Sequence, residues 1–213
     1  VIAEGIAALP PEVAQNVSVV MLDTMGIYWT MKFPNKQDDD LLRAWGMSPE
    51  SVDVTIFTPK GYFQSFKDKG IPTDYPFAIR PVELSVSDWL NTFEVQQQDK
   101  VGVLITRIIS GMKELSADFS VKDIIERIRQ DEKADQNTKD ASENFFAAAD
   151  TWGIFDKEGT PFDDIVKPGR ISVVDVSIYT TLSGSSNVRA LVIGLIAQKL
   201  FLKRVRQIYH NKF

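Results

Sequence analysis

The chain has 213 residues, a formal net charge of −5 and 44% hydrophobic residues, a composition typical of a folded globular protein. It contains no cysteine and one histidine, His210. These counts exclude disulfides, thiolate or imidazole metal clusters, a cysteine nucleophile and a Ser-His-Asp triad within the chain. No apolar stretch is long enough to span a bilayer and no signal peptide is visible, so we expect a cytoplasmic protein without a membrane partner.

Positive charge is concentrated near the C-terminus. Residues 171–213 hold six Lys or Arg and one acid, Asp175, which gives +5 there and −10 for residues 1–170. A basic region of this kind is typical of a contact with nucleic acid or with another subunit, and also of a solvated helix face. The candidate contact residues are Lys199, Lys203, Arg204 and Arg206.

The first part of the chain alternates predicted helices and strands. The run Val17–Leu22 is apolar except for one serine, which is typical of a central parallel strand that is buried on both faces. Further strands are predicted at Val52–Phe57 and Phe77–Ile79. Helices are predicted at residues 1–8, Asp38–Trp45 and Tyr62–Lys69.

The middle of the chain is predicted to be helical for roughly seventy residues, beginning with a helix capped by Ser87. Apolar residues at helical spacing predict further helices at 101–112, 121–129 and 134–152. An apolar strand, Arg170–Val176, follows, and then a polar loop, Ser183–Asn187, and a long helix, Val188–Tyr209. The pattern predicts an α/β fold in which a helical block interrupts the strands.

The clearest polar feature of the predicted strands is Asp23, which ends the first strand and precedes Gly26 in a predicted turn. Ligands of open α/β sheets bind at the carboxyl ends of the strands, so Asp23 is a candidate chemical group. Such an acid would bind a ribose in a dinucleotide fold, act in an aspartyl-phosphate phosphatase, or lie near the phosphates in a P-loop ATPase. The chain has no GxGxxG motif, and Met25 stands where the phosphatase needs a second Asp. A polar turn residue without chemistry is the remaining interpretation.

A second acid, Asp175, repeats this pattern in SVVDVS. Its apolar lead-in resembles that of a Walker B acid, but Val176 stands where a water-positioning Glu is expected, which favours a structural role. The sequence contains no GxxxxGK[ST] motif. The Ser183–Ser186 cluster is predicted to be a flexible connection rather than a phosphate cradle.

Taken in order, several segments resemble the HerA-type branch of the HerA/FtsK P-loop ATPases. They are VVMLDTMGIYWTMKFPN, VTIFTPKG, PFAIRPVELS, PGRISVVDVS and VRALVIGLIAQKLFLKR. The resemblance implies a RecA-like P-loop NTPase core with a mostly parallel sheet and an inserted helical subdomain. The implied division is 1–85 for the first part of the core, 86–166 for the helical insertion, and 167–213 for the return to the core with the long C-terminal helix.

The resemblance also implies a function. Members of the family assemble into hexameric rings and move double-stranded DNA with ATP and Mg²⁺, and DNA repair with a partner nuclease is a further implied role. Asp23 is the implied catalytic residue, and Asp23 and Gly26 are the implied cofactor-binding residues, while the metal ligands stay unassigned. Asp175 is implied to be the acid of the strand before the long helix and not the Walker B acid.

The resemblance places both ATP motifs of the family outside this sequence. The P-loop is expected just before VIAEGIAA, which has no initiator Met, and the Walker B strand is expected beyond Tyr209. We therefore expect an internal fragment of a larger protein. ATP and Mg²⁺ are then cofactors of the parent protein, and no cofactor is assigned to this chain alone, which is expected not to hydrolyse ATP.

Three functions remain open from the sequence. The first is a fragment of an ATP-dependent DNA translocase of HerA type. The second is a non-catalytic binding or regulatory module built on a degenerate ATPase core. The third is a small α/β hydrolase that acts through Asp23 alone.

Overall fold

The computed structural model describes residues 2–115, 118–182 and 186–210, with residues 2, 3, 186 and 206–210 described by their backbone only. The predicted Ser183–Asn187 loop therefore lies largely outside the described residues. The chain divides into two compact units. One contains Val1–Phe77 and Pro161–Ile178, and the other contains Ala78–Thr160 and Tyr179–Phe213.

The first unit is built on a parallel β-sheet. Its strands are β1 (Val19–Asp23), β2 (Val54–Pro59), β3 (Tyr75–Phe77) and β4 (Ile171–Asp175), in the order β1-β4-β2-β3. All three strand pairings are parallel. The predicted α/β fold with a parallel sheet, consistent with a P-loop NTPase core, is confirmed.

The described residues also form ten α-helices and three short 3₁₀ helices. The α-helices are α1 (Ile2–Ala7), α2 (Pro11–Ala14), α3 (Asp39–Ala44), α4 (Lys60–Asp68), α5 (Val86–Phe93), α6 (Lys100–Leu115), α7 (Val121–Arg129), α8 (Gln136–Thr151), α9 (Phe162–Ile165) and α10 (Ser186–His210). The 3₁₀ helices are Tyr28–Lys32, Pro81–Glu83 and Ser177–Thr180. None of the helices in the described ranges has the length and apolar content needed to cross a membrane.

The core of the first unit lies on the two inner strands. Val54, Ile56, Ile171 and Val173 are buried, and half-buried side chains from β1 and from the 3₁₀ helix after it pack against them. The prediction that the first strand is central and buried on both faces is wrong for the described sheet. β1 is at its edge and Val19–Leu22 are only half-buried. An apolar run indicates burial but not how many neighbours a strand has, so it does not separate an edge strand from a central one.

Two local predictions also need correction. The third strand is Tyr75–Phe77 and not Phe77–Ile79, because Ile79 pairs with Phe155 in an isolated bridge of the second unit. The cap of α5 is Ser85 and not Ser87. Ser85 accepts a hydrogen bond from the Asp88 N–H while the Asp88 carboxylate accepts one from the Ser85 N–H, which is the reciprocal pairing of a capping box.

The second unit is helical around an aromatic cluster. The Trp89 ring lies 5.0 Å from the Phe146 ring and 5.1 Å from the Phe155 ring, measured between centroids. Arg107 and Asp131 link α6 to the loop after α7 through two hydrogen bonds of 3.0 and 2.8 Å. This unit also contains α10, whereas the sequence division grouped residues 167–213 with the core. The boundaries at 85 and 166 stay predictions.

Candidate functional site

Two buried acids lie side by side at the carboxyl edge of the sheet. Asp23 ends β1 and Asp175 ends β4, and the two residues are directly opposite each other in the parallel register. Asp23 is 1% exposed and Asp175 is 3% exposed. The carboxyl edge is where open α/β sheets bind their ligands, so this pair is the candidate functional site.

The Asp23 carboxylate is fully occupied by the backbone of the loop that follows it. Its Oδ1 accepts hydrogen bonds from the N–H groups of Met25 (3.0 Å) and Gly26 (2.8 Å). Its Oδ2 accepts hydrogen bonds from the N–H groups of Ile27 (2.9 Å) and Tyr28 (2.8 Å). An ionised carboxylate has about four acceptor positions, and here the loop uses four. In this geometry Asp23 shapes the loop.

Gly26 is required at the top of this loop for two reasons. Its φ is +69°, a left-handed conformation that glycine adopts without steric cost. A Cβ atom at this position would also lie 2.7 Å from the Ser177 Oγ, closer than real side chains approach. The Val176 N–H donates to the Asp23 carbonyl oxygen at 2.9 Å, so the segment after β4 supports the loop after β1.

The carboxyl group of Asp175 accepts fewer backbone hydrogen bonds than that of Asp23. Its Oδ1 accepts a hydrogen bond from the Ser177 N–H at 2.9 Å. Burial raises the pKa of Asp175, hydrogen bonds from Ser177 oppose that rise, and the negative charge of Asp23 adds to it. The strand register therefore forces two carboxyl groups into one buried edge, and Asp175 is the one whose ionisation is disfavoured.

The Asp23 carboxylate has no acceptor position left for a ligand in this geometry. The second acid of the pair, Asp175, is opposite Asp23 in the strand register, and burial disfavours its ionised form by raising its pKa. Across the described ranges, no group of three or more His, Cys, Asp or Glu residues is arranged to hold a metal ion. The catalytic and cofactor-binding roles of Asp23 and Gly26 stay predictions.

The predicted basic contact residues lie along α10. Lys199 is engaged within the second unit, since its Nζ lies 2.7 Å from the Glu83 Oε2. Lys203 is half-buried and Arg204 is exposed, whereas the side chain of Arg206 lies outside the described part. A contact of these residues with nucleic acid or with a subunit stays a prediction.

Ser177 is the residue of this edge that the sequence did not indicate. Its backbone N–H binds Asp175 and its side chain faces Gly26, so it connects the two loops. The sequence does contain one indication of this meeting of loops: Asp23 and Asp175 each stand at the end of an apolar strand. Using that signal requires the knowledge that β1 and β4 are neighbours, which the sequence does not contain.

Comparison with known proteins gives the family. The model of the family described as "Helicase HerA, central domain" matches residues 1–199. The chain belongs to this family. No curated protein matches the chain. The HerA-type resemblance seen in the sequence is thereby confirmed, and membership supports a function of the ATPase or translocase type.

The substitution Asp23→Asn tests the role of Asp23 in shaping the loop. Asparagine keeps one acceptor oxygen and replaces the other by an NH₂ group, which leaves two partly buried donors without an acceptor. A buried donor without an acceptor costs about 1–3 kcal/mol, so for two partly buried donors the free energy of unfolding should fall by about 1 kcal/mol or more in denaturant titrations. Asp175→Asn is the matched control, because it keeps the oxygen that accepts from Ser177 and should cost much less. Equal stability of Asp23→Asn and the wild type would contradict the assignment.

The raised pKa of Asp175 predicts how the stability of Asp175→Asn depends on pH. Below the ordinary Asp value of 3.8 the carboxyl group is protonated in both the folded and unfolded states, so its ionisation costs nothing. As the pH rises through the folded-state pKa, the free energy of unfolding of the wild type falls, because a buried group must ionise. The Asn variant has no such group. The Tm of the variant minus that of the wild type should therefore increase from about pH 4 upward and then level off. A difference that is constant or that falls with pH would contradict this.

Proposed function

We propose that this chain is the central part of an ATP-driven translocase that moves double-stranded DNA as a ring of identical subunits. The match to the HerA central domain family over residues 1–199 carries this proposal. The parallel sheet, with two strands ending in buried acids at one edge, is consistent with it. A cytoplasmic location, a role in DNA repair and a partner nuclease belong to the same proposal.

In this proposal the carboxyl edge of the sheet is one wall of the nucleotide site. Phosphoryl transfer depends on backbone donors, a Lys and a hydroxyl that binds Mg²⁺, and the GxxxxGK[ST] motif that supplies them is absent from these 213 residues. Asp23 is then a positioning residue, because it fixes the loop of Met25–Tyr28 at the wall without offering a free oxygen.

The end of α10 is the proposed basic contact. Lys203 and Arg204 lie in a stretch, 199–206, that contains four Lys or Arg and no acid. Basic side chains bind the phosphates of DNA with an affinity that falls steeply with salt. The same charges suit an acidic surface of a neighbouring subunit.

A binding or regulatory module without ATP chemistry is the second candidate function. One observation favours it: Asp23, the acid at the end of β1, has all its acceptor positions in use. Such a module would bind a partner and turn over no ATP.

The two functions are separated by the ATP turnover of the full natural protein, measured without DNA, with single-stranded DNA and with linear duplex DNA. Translocation on duplex DNA predicts turnover that the duplex stimulates most. In the same assay Gly26→Ala should lower turnover severalfold, because its Cβ would press on Ser177 and shift the wall of the site. Gly5→Ala is the matched control, because open space surrounds Gly5. No turnover under any of these conditions would support the binding module and contradict the translocase.

A further inference from the structure

One surface of the first unit is apolar, acidic and without a cover in its own unit. It surrounds α3, and we call it the acidic patch: Asp38, Asp40, Leu41, Trp45 and Met47. The Trp45 side chain is 78% exposed, and Leu41 and Met47 are also exposed. α3 has six residues and buries none of them. So short a helix gains most of its stability from packing, which makes an uncovered apolar face unusual.

The surroundings of the acidic patch are acidic, since residues 36–53 hold five Asp or Glu and two Lys or Arg. Asp39, beside the patch, pairs with one of those bases, Arg43, at a distance of 2.6 Å between Oδ2 and Nη2. Asp38 and Asp40 are exposed and lie outside that pair. The surface that covers the patch should therefore combine apolar side chains with positive charge.

The chain itself carries a surface with that complementary character. Near the end of α10, Phe201 is 67% exposed and Leu202 is 45% exposed, and Lys203 and Arg204 follow them. We call these four residues the basic patch. Phe201 and Arg204 are three positions apart, so an aromatic ring and a guanidinium lie on one helix face. Both patches combine exposed apolar side chains with charged ones, and their charges are opposite in sign.

We propose that the acidic patch of one copy of this chain binds the basic patch of a second copy. The contact joins two different surfaces, so each copy uses one patch on each of two neighbours, and the association closes into a ring when the rotation permits. The inference rests on the proposed function, because that function already assumes that identical copies of the chain assemble. It assigns the subunit contact to Trp45 and Asp40 on one side and to Phe201 and Arg204 on the other.

A charge exchange tests the contact. Association of the full natural protein is measured by sedimentation over a dilution series, without nucleotide or DNA. Asp40→Lys and Arg204→Glu should each weaken association by about tenfold or more, because each sets like charges against each other. An equimolar mixture of the two variants should recover association, because each altered patch then meets its complement on the other variant. A contact within one chain predicts no recovery on mixing.

The controls separate this contact from general effects of charge and hydrophobicity. Glu114→Lys and Lys122→Glu make the same charge changes at exposed positions outside both patches and should leave association unchanged. Trp45→Ala should weaken association by about tenfold or more without loss of thermal stability at dilutions where the protein is monomeric. Leu115→Ala, at another exposed apolar residue, should do neither.

The outcomes also separate this inference from the proposed function. Wild-type association of the patch variants, or a protein that stays monomeric at every concentration, would overturn the contact. Failure of the mixture to recover association would overturn it as well. Duplex-stimulated ATP turnover is measured independently, so its presence or absence bears on the translocase and not on the contact between the patches.

Discussion

The carboxyl edge of the sheet depends on one interaction, the binding of the Asp23 carboxylate by four successive backbone N–H groups. A buried charge is costly unless hydrogen bonds compensate it, and here the residues directly after the strand do so. This arrangement requires glycine at position 26, where φ is positive and an added Cβ would collide with Ser177. It also keeps a negative charge beside Asp175, whose pKa is raised by burial and by that neighbour. The conformation of the loop after β1 therefore follows from one side chain.

This constraint changes how a strand-end acid relates to function. A carboxylate with free oxygens binds metal ions or moves protons, whereas one that is occupied by backbone donors determines the shape of a loop. Membership of the HerA central domain family supports a function of the ATPase or translocase type. At this edge of the sheet, the Asp23 oxygens are all bound by backbone N–H groups. The exposed apolar surfaces near α3 and at the end of α10 add a reason for copies of the chain to associate.

Much of the fold could be predicted from the sequence, because the signals for it are local. The periodicity of residues 121–129 predicted α7, and the apolar runs ending in Asp23 and Asp175 predicted two strands. The edge position of β1 and the pairing of the two acids could not be predicted, since strand order depends on contacts between residues roughly 150 positions apart in the chain. The Asp-Xaa-Xaa-Gly pattern indicated a turn, but it did not show that the carboxylate would bind four N–H groups.

The central claim is tested most directly by amide hydrogen exchange, followed by NMR, at Met25, Gly26, Ile27 and Tyr28. Met25 and Ile27 have exposed side chains, so an unconstrained loop here would exchange at nearly the rate of an unfolded peptide. Binding to the buried Asp23 carboxylate predicts that all four amides exchange slowly and with similar protection. Exchange of these amides at the rates of an unfolded peptide would contradict the account.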